Sequence, residues 1–300
     1  MPLPLAADIA SVGGASNAFP PEQLLLLAAT TFIAAAVNAV AGGGTILTFP
    51  VVAAILPDGP AGLVAANATS TLGLWPGAIA AAWAGRAEWD CQPRLTSLTS
   101  LTSLTRWLLP ASVGGAIVGA ALLLALPSAW FGRLVPWLIL SAAVLFTLQP
   151  HLAARLAAGD QGSTPNGEPT RGVFFLAWGL QFLVAVYGGY FGAGIGILML
   201  AVLGCLGVGD IHRLNAVKNL LATAVNGTTA VVFASASILP TSVGGRGGIV
   251  SWPLALMMAL ASISGAVVGV RLMRRMPAPV VRRIVALIGF GLAGYYFLRG

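Results

Sequence analysis

Charge is scarce in this chain of 300 residues, because Asp, Glu, Lys and Arg together make up 8% of it, against about 25% in soluble domains. Apolar residues make up 58% and form several long uncharged stretches. A soluble protein of this length would need a far more polar surface, whereas a membrane span needs about 20 mainly apolar residues. The shortage of charge therefore excludes an ordinary soluble domain and indicates a polytopic membrane protein.

Cysteine and histidine are also rare, with two residues of each. Cys91 and Cys205 lie far apart and provide neither a disulfide framework nor metal-ligand spacing. His151 and His212 are also widely separated, so we expect no metal site and no cofactor. The net charge of +7 does not indicate nucleic acid, because the basic residues lie at the ends of apolar stretches, where they set membrane topology.

Two uncharged stretches are too long for one span and too short for two. Between Glu22 and Asp58 lie 35 uncharged residues, which would form a helix of roughly 52 Å in a hydrocarbon core of about 30 Å. The stretch after Arg171 contains 38 such residues. We therefore expect two helices in each stretch, meeting at the glycine-rich segments 42–44 and 188–196.

The rest of the chain contains plainer spans. Six are expected, at about 61–84, 106–126, 134–150, 214–238, 250–270 and 280–298. Pro76 should kink the first of them. Residues 151–171 read as a linker between a first unit at 1–150 and a second at 172–300, and residues 1–21 as a tail. The Leu/Thr/Ser repeat at 95–105 is interpreted as an interfacial helix or an extension of the next span.

The two halves of the chain match in order. At an offset of 152, Gly42, Gly44, Asp58, Asn67 and Thr71 fall on Gly194, Gly196, Asp210, Asn219 and Thr223. At an offset of 150, segment 111–119, Pro127 and Arg133 fall on segment 261–269, Pro277 and Arg283. We interpret these ordered matches as the duplication of a five-helix unit.

The basic residues are distributed unequally across the ten expected spans. One side receives 12 of the 15, while the other receives only Arg133, Arg246 and Arg299. The positive-inside rule makes the first side cytoplasmic. We therefore expect an inverted-topology repeat, a device common in secondary transporters, in a bacterial inner membrane. Both termini would lie outside and the linker inside.

The glycine-rich segments are candidates for a binding site. Inverted-repeat transporters build this site near the midplane from broken helices. Helices beginning at Gly44 and Gly196 would direct N–H groups and partial positive charge inward, which suits anions. Thr45 adds a capping hydroxyl in the first half, and Ile197 offers none in the second. The alternative is that these glycines only permit close helix packing.

Two polar helix faces extend this candidate site. Asn67 and Thr71 are four residues apart and therefore share a face, and Asn219 and Thr223 repeat that spacing. The alternative is interhelical hydrogen bonding, worth only about 0.6–2 kcal/mol for each group. The full set of candidate substrate-binding residues is Asn38, Gly42, Gly43, Gly44, Thr45, Asn67, Thr69, Ser70, Thr71, Gly192, Gly194, Gly196, Asn215, Lys218, Asn219 and Thr223.

Lys218 is the charge of most interest. It either extends to the cytoplasmic surface along its apolar stem or faces inward and attracts an anion. No carboxylate lies well inside any expected span, which argues against a cation carrier and against proton coupling through a buried acid. An interior-negative potential drives an anion outward by about 2.3 kcal/mol per charge per 100 mV, so export would need no further coupling.

Five segments of this chain resemble the sulfite exporter TauE/SafE family. They are VNAVAGGGT at 37–45, ANATST at 66–71, LWPG at 74–77, GGYFGAGIG at 188–196 and LNAVKN at 214–219. The resemblance covers about 30–298 and implies a permease that moves sulfite, organosulfonates or related small anions, usually outward. Ile195 departs from the family pattern, which often has a glycine there, and this change could reshape the site.

The expected function is export of a small anion, sulfite or an organosulfonate, by a secondary transporter in contact with lipid. An anion channel is one alternative and would show flux above carrier rates. A membrane enzyme or assembly factor is another, and it would need buried His, Cys or carboxylate chemistry that the spans hardly offer. The GxxxG pairs Gly115/Gly119 and Gly265/Gly269 could pack within a monomer or between protomers, so a homo-oligomer stays open.

Overall fold

The computed structural model describes residues 19–41, 44–84, 101–159, 171–204, 211–238, 248–272 and 278–299. Ten α-helices and no strands are found in these residues, which confirms the prediction of an all-helical membrane protein. The helices are α1 (Pro21–Ala41), α2 (Thr45–Ile55), α3 (Pro60–Ala84), α4 (Leu101–Ala125), α5 (Ser128–Gly159), α6 (Arg171–Tyr190), α7 (Ile195–Gly204), α8 (Ile211–Ile238), α9 (Trp252–Leu272) and α10 (Ala278–Arg299).

Both long uncharged stretches are divided at their glycine-rich segments, as the sequence predicts. Helix α1 ends at Ala41 and α2 begins at Thr45, while α6 ends at Tyr190 and α7 begins at Ile195. Helix α2 has 11 residues and α7 has 10, so each is only about 15–17 Å long. Over these described lengths neither crosses a hydrocarbon core of about 30 Å, and each stretch pairs one long described helix with one short one.

The expected linker is partly helical. Helix α5 runs to Gly159, so residues 151–159, expected in the linker, continue the preceding helix. They read HLAARLAAG, and Ala, Leu and Arg are strong helix formers. Helix α4 begins at Leu101, which makes the end of the Leu/Thr/Ser repeat an extension of this helix. Residues 1–18, 95–100 and 160–170 lie outside the described part of the chain.

The helices of the two halves pack in corresponding pairs. Helix α4 packs against α6, and α9 packs against α1; α3 packs against α9, and α8 packs against α4. The pairs α5–α10 and α3–α8 join equivalent helices. Most helix contacts therefore have a counterpart when each helix is replaced by its equivalent in the other half: α4–α6 becomes α9–α1, and α3–α9 becomes α8–α4. A duplicated five-helix unit would give this pattern.

The GxxxG glycines lie at the crossings between the halves. A methyl group added to Gly115 would meet the Phe182 carbonyl oxygen, and one added to Gly265 would meet the Phe32 carbonyl oxygen. Phe32 and Phe182 are themselves 150 positions apart. The two crossings are thus equivalent, and both glycine pairs pack within the monomer. They allow the close backbone approach that small residues provide in membrane helices.

The outer surface of the bundle is apolar. Leu25, Phe175, Leu260 and Leu298 expose 73%, 73%, 73% and 91% of their side chains, and such patches mark contact with lipid or protein. Five of the described helices contain a segment long and apolar enough to cross a membrane. The protein is therefore a multi-pass membrane protein, while the ten-span count and the inverted orientation stay predictions.

Candidate functional site

Glycine produces the break between α6 and α7. Gly192 and Gly194 have φ angles of +83° and +76°, a region that L side chains rarely adopt. The Tyr187 hydroxyl donates a 2.7 Å hydrogen bond to the Ala193 carbonyl and so anchors the turn to the helix before it. Helix α7 can then begin in the middle of the bundle, in contact with α5, α6 and α8.

Asn38 organises the break between α1 and α2. The Gly44 N–H, at the start of α2, donates a 3.2 Å hydrogen bond to Asn38 Oδ1. This bond satisfies a donor that the first turn of a helix leaves without a partner. Gly44 is also held close to α1, because a methyl group there would lie 2.6 Å from the Ala34 carbonyl oxygen. Gly42 and Gly43 fall outside the described residues.

The two breaks meet at one small cavity of about 30 Å³, which we call the Lys218 cavity. Its lining comes from α1, α2, α3, α7, α8 and the turn before α7: Asn38, Ala39, Thr45, Ala78, Ala81, Gly192, Ile195, Gly196, Lys218, Asn219, Ala222, Thr223 and Asn226. Seven predicted site residues are among them. A cavity this small suits a ligand of a few atoms rather than a drug-sized molecule, which needs about 300–1,000 Å³.

Lys218 is the single lysine of the chain, and it is buried at 2% exposure. A charged side chain is expensive in a low-dielectric interior unless other groups compensate for its lost hydration. Around it the cavity presents the side chains of Asn38, Asn219 and Asn226 together with Thr45. The buried position differs from that of a lysine extended to the membrane surface, which was one of the two expectations.

One face of α8 supplies most of the polar lining. Asn219, Thr223 and Asn226 recur at spacings of four and three residues, which places them along one side of a helix, and Lys218 lines the cavity at the edge of this face. Asn226 belongs to the same polar face in the sequence but was not among the candidate binding residues, and the structure places it in the lining. The Asn215 side chain lies outside the described residues.

The matching face of α3 lies elsewhere. Asn67 is 1% exposed, and its Nδ2 donates a 3.1 Å hydrogen bond to the carbonyl of Tyr190, the last residue of α6. The Thr69 hydroxyl accepts a 3.1 Å bond from the Ser251 N–H, and Thr71 donates to the Asn67 carbonyl at 2.9 Å. The fourth residue of this face, Ser70, is fully buried. None of the four lines the Lys218 cavity, and their role as substrate contacts stays a prediction.

Two predicted glycines also lie outside that lining. Gly44 holds α2 against α1, as described above. Gly194 faces α5, because a methyl group there would lie 3.6 Å from the Ala142 Cβ. Their positions determine where α2 and α7 begin. Substrate contact at either one stays a prediction.

Pro76 is accommodated within a continuous helix α3. Next to Pro76, the backbone of α3 is hydrogen-bonded to Ser262 of α9. The Gly77 N–H donates to Ser262 Oγ at 3.1 Å, and the same hydroxyl lies 2.8 Å from the Gly73 carbonyl oxygen. In a regular α-helix the Gly77 N–H and the Gly73 carbonyl are partners, and Ser262 Oγ lies within hydrogen-bond distance of both. A side chain inserted in this way is one recognised cause of helix bending, which is how the predicted kink would arise.

A second, larger cavity of about 910 Å³ opens near the start of α5, and we call it the Arg133 cavity. Prolines, aromatic residues and two charged residues, Asp58 and Arg133, line it; among the aromatic residues are Trp137, Tyr295 and Tyr296. It lies beside α2, α3, α5 and α10. In the predicted topology this end of the bundle faces away from the cytoplasm.

Two relatives share most of the chain's length. A "Probable membrane transporter protein" from Haemophilus influenzae is 26% identical over 257 residues, covering 84% of this chain and 86% of the relative. A "Probable membrane transporter protein ORF9" from Sinorhizobium sp is 27% identical over 258 residues, covering 85% of each. No solved structure matches this chain.

The match to a protein family is nearly full length. Residues 27–296 match the family described as Sulfite exporter TauE/SafE. This range includes all ten described helices except the ends of α1 and α10. Together with the two relatives, it makes the protein a membrane transporter with a small-molecule substrate rather than an enzyme. The chain belongs to the sulfite exporter TauE/SafE family.

Proposed function

We propose that this protein is a secondary transporter that exports a small anion, sulfite or an organosulfonate, across a bacterial inner membrane. The observation that carries the proposal is the buried Lys218 in a cavity at the junction of two broken helices. A buried cation in a membrane protein marks an ion or substrate path by default. The family name adds the chemical class of the substrate.

The electrostatics of the Lys218 cavity favour an anion. Thr45 and Gly196, in the first turns of α2 and α7, both line it. Helix N-termini carry partial positive charge and N–H donors, and asparagine amides add further donors. The described lining contains no Asp or Glu. A negative ligand therefore gains the attraction of Lys218 and of both helix ends, whereas a cation would be repelled by them.

The direction of transport is proposed from the charge of the anion, the membrane potential and the predicted topology. With both termini outside and the interior negative, the membrane potential drives an anion outward by about 2.3 kcal/mol per charge per 100 mV. The substrate would enter from the cytoplasm and reach Lys218, which lies in the second turn of α8. Outward movement then requires no second ion.

The test is flux of sulfite, sulfoacetate and sulfate into proteoliposomes containing the full chain. Lys218→Gln should lower anion flux by roughly tenfold to a hundredfold, because a hydrogen bond from a charged group contributes about 1.5–3 kcal/mol. Lys218→Arg, which keeps the charge, should retain more flux than Lys218→Gln. Asn219→Ala should lower flux less than Lys218→Gln.

Arg106→Gln is the matched control, because Arg106 is an exposed basic residue on α4 and lines neither described cavity. It should leave flux unchanged. Normal flux in Lys218→Gln would remove the lysine from the path and with it the proposed site. Failure of all three anions together with transport of a cation would reject the anion function.

A further inference from the structure

Three buried aromatic rings pack against one another, and each is next in sequence to a residue that lines one of the two cavities. Phe49, Phe131 and Phe191 are 0%, 1% and 1% exposed. The Phe49 ring centroid lies 5.5 Å from that of Phe191 and 6.4 Å from that of Phe131, and Phe131 and Phe191 are 6.3 Å apart. Each ring therefore contacts the other two, in the range at which aromatic pairs attract. We call these residues the aromatic partition.

Each ring belongs to a segment that also lines a cavity. Phe191 precedes Gly192 of the Lys218 cavity, and Phe131 precedes Gly132 of the Arg133 cavity. Helix α2 reaches both, because Thr45 lines the first cavity and Pro50 the second, with Phe49 between them. Helix α2 thus leads from one cavity to the other, while the segments of Phe191 and Phe131 reach the three-ring cluster from the Lys218 cavity and from the Arg133 cavity, respectively.

We infer that the Arg133 cavity is a second chamber of the same path and that the aromatic partition is the barrier between the two chambers. The inference rests on the proposed function, because it assigns the cavity to the transported anion. Arg133 gives the chamber a cation, and Asp58, also in the lining, keeps its net charge near zero. Such a chamber attracts an anion weakly and releases it readily.

The partition opposes passage in the described conformation. A small hydrated anion would have to lose its water to move between phenyl rings, and an unpaired charge in an apolar environment costs several kcal/mol or more. The rings must therefore separate for each passage. Phe49 and Phe191 lie on the short helix α2 and beside the start of α7, so a shift of either element against α5 would part them from Phe131.

The test is cysteine labelling of the full chain in proteoliposomes, with Cys91 and Cys205 replaced by Ser. Ala78→Cys reports on the Lys218 cavity, and Ala129→Cys reports on the Arg133 cavity. A charged, membrane-impermeant methanethiosulfonate is added on the side from which Ala129→Cys reacts. With the partition intact, Ala78→Cys should be protected from that side. With Phe131→Ala or Phe49→Ala, its labelling rate should rise by about tenfold or more, equivalent to about 1.4 kcal/mol of easier opening.

Phe233→Ala is the matched control, because Phe233 is fully buried and lines neither described cavity; it should leave Ala78→Cys protected. If an alanine variant fails to form a monodisperse protein, Phe131→Leu keeps an apolar side chain and should give a smaller rise in labelling.

Three outcomes would overturn the inference. Ala78→Cys could already react from that side in the parent protein, or its rate could stay the same in the Phe49 and Phe131 variants. Ala129→Cys could react only with a lipid-soluble maleimide, which would make the Arg133 cavity a lipid site. Labelling needs no transported substrate. If the Phe49 and Phe131 variants expose Ala78→Cys but the protein carries no anion, the proposed function is rejected and the barrier between the cavities is still supported.

Discussion

The polar faces of α3 and α8 carry the same Asn/Thr pair and have different surroundings. In both, the threonine hydroxyl donates to the asparagine carbonyl one turn earlier, at 2.9 Å from Thr71 and 2.7 Å from Thr223. Asn67, however, is bound to the Tyr190 carbonyl, whereas Asn219 lines the Lys218 cavity. The first face joins helices, and the second lines a cavity.

The residues that precede the two glycine-rich breaks explain this difference between the faces of α3 and α8. Tyr190 and Asn38 occupy corresponding places at an offset of 152: Tyr190 ends α6, and Asn38 lies in the last turn of α1. The Tyr190 carbonyl accepts the amide of Asn67. The side chain of Asn38 instead accepts the Gly44 N–H and lines the cavity together with Asn219. Equivalent positions can thus carry packing in one half and a candidate site in the other.

The largest expected effect concerns the glycine crossings, where the two halves of the chain are alike. A methyl group at Gly119 would meet the Val186 carbonyl oxygen, and one at Gly269 would lie 2.5 Å from Ala36 Cα. Gly119→Val and Gly269→Val should each lower the free energy of unfolding by about 1–3 kcal/mol or more, because overpacking forces backbone shifts. Thermal unfolding of the detergent-solubilised protein measures both.

Gly291→Ala is the control for the glycine crossings. A methyl group there would meet no described atom within 4 Å, so the variant should gain up to about 0.5–1 kcal/mol from helix propensity. Strong destabilisation by Gly119→Val together with tolerance of Gly269→Val would show that the two crossings are not equivalent.

The next effect concerns the equivalent asparagines Asn67 and Asn219, whose surroundings differ between the two halves. Asn67→Ala removes the donor to the Tyr190 carbonyl and should destabilise the protein by about 1–3 kcal/mol, the cost of a buried polar group left without its partner. Asn219→Ala should change unfolding far less and should lower anion flux instead. Thermal unfolding and flux per folded protein, measured on both variants, separate the two roles.

Asn67→Asp sharpens this comparison. It keeps the side-chain size and replaces the amide donor with a carboxylate beside a carbonyl oxygen, so it should destabilise at least as much as Asn67→Ala. Equal destabilisation by Asn67→Ala and Asn219→Ala, with unchanged flux in the latter, would contradict the division of roles.

The breaks at 42–44 and 188–196 could be predicted from length, because an uncharged stretch that fits neither one span nor two must bend, and glycine marks the position. The spacing of Asn219 and Thr223 predicted a common face in the same way.

Long-range partners could not be predicted. A lysine near a helix end is compatible with the membrane surface and with the interior, so only the packing of α1, α7 and α8 around Lys218 distinguishes them. Asn67 binds a backbone carbonyl 123 residues away. Every residue type has a backbone carbonyl, so the sequence does not show which residue accepts this hydrogen bond. Ser262 is missed for a similar reason, because its partners are the backbone of α3 at Pro76.

The smallest expected effect concerns that serine. Ser262→Ala leaves the Gly77 N–H without the hydroxyl that accepts from it, and the Gly73 carbonyl loses a neighbouring donor. The expected cost is about 0.5–1.5 kcal/mol, the net contribution of one hydrogen bond, measured by thermal unfolding.

Ser264→Ala is the matched control, because Ser264 is exposed and its hydroxyl reaches only carbonyls of its own helix. That variant should stay within about 0.5 kcal/mol of the parent. The two serines lie two residues apart on α9, so their difference isolates the contact with α3. An equal, small effect of both substitutions would mean that the backbone of α3 closes around Pro76 without help from α9. Any bend at Pro76 would then be a property of α3 alone.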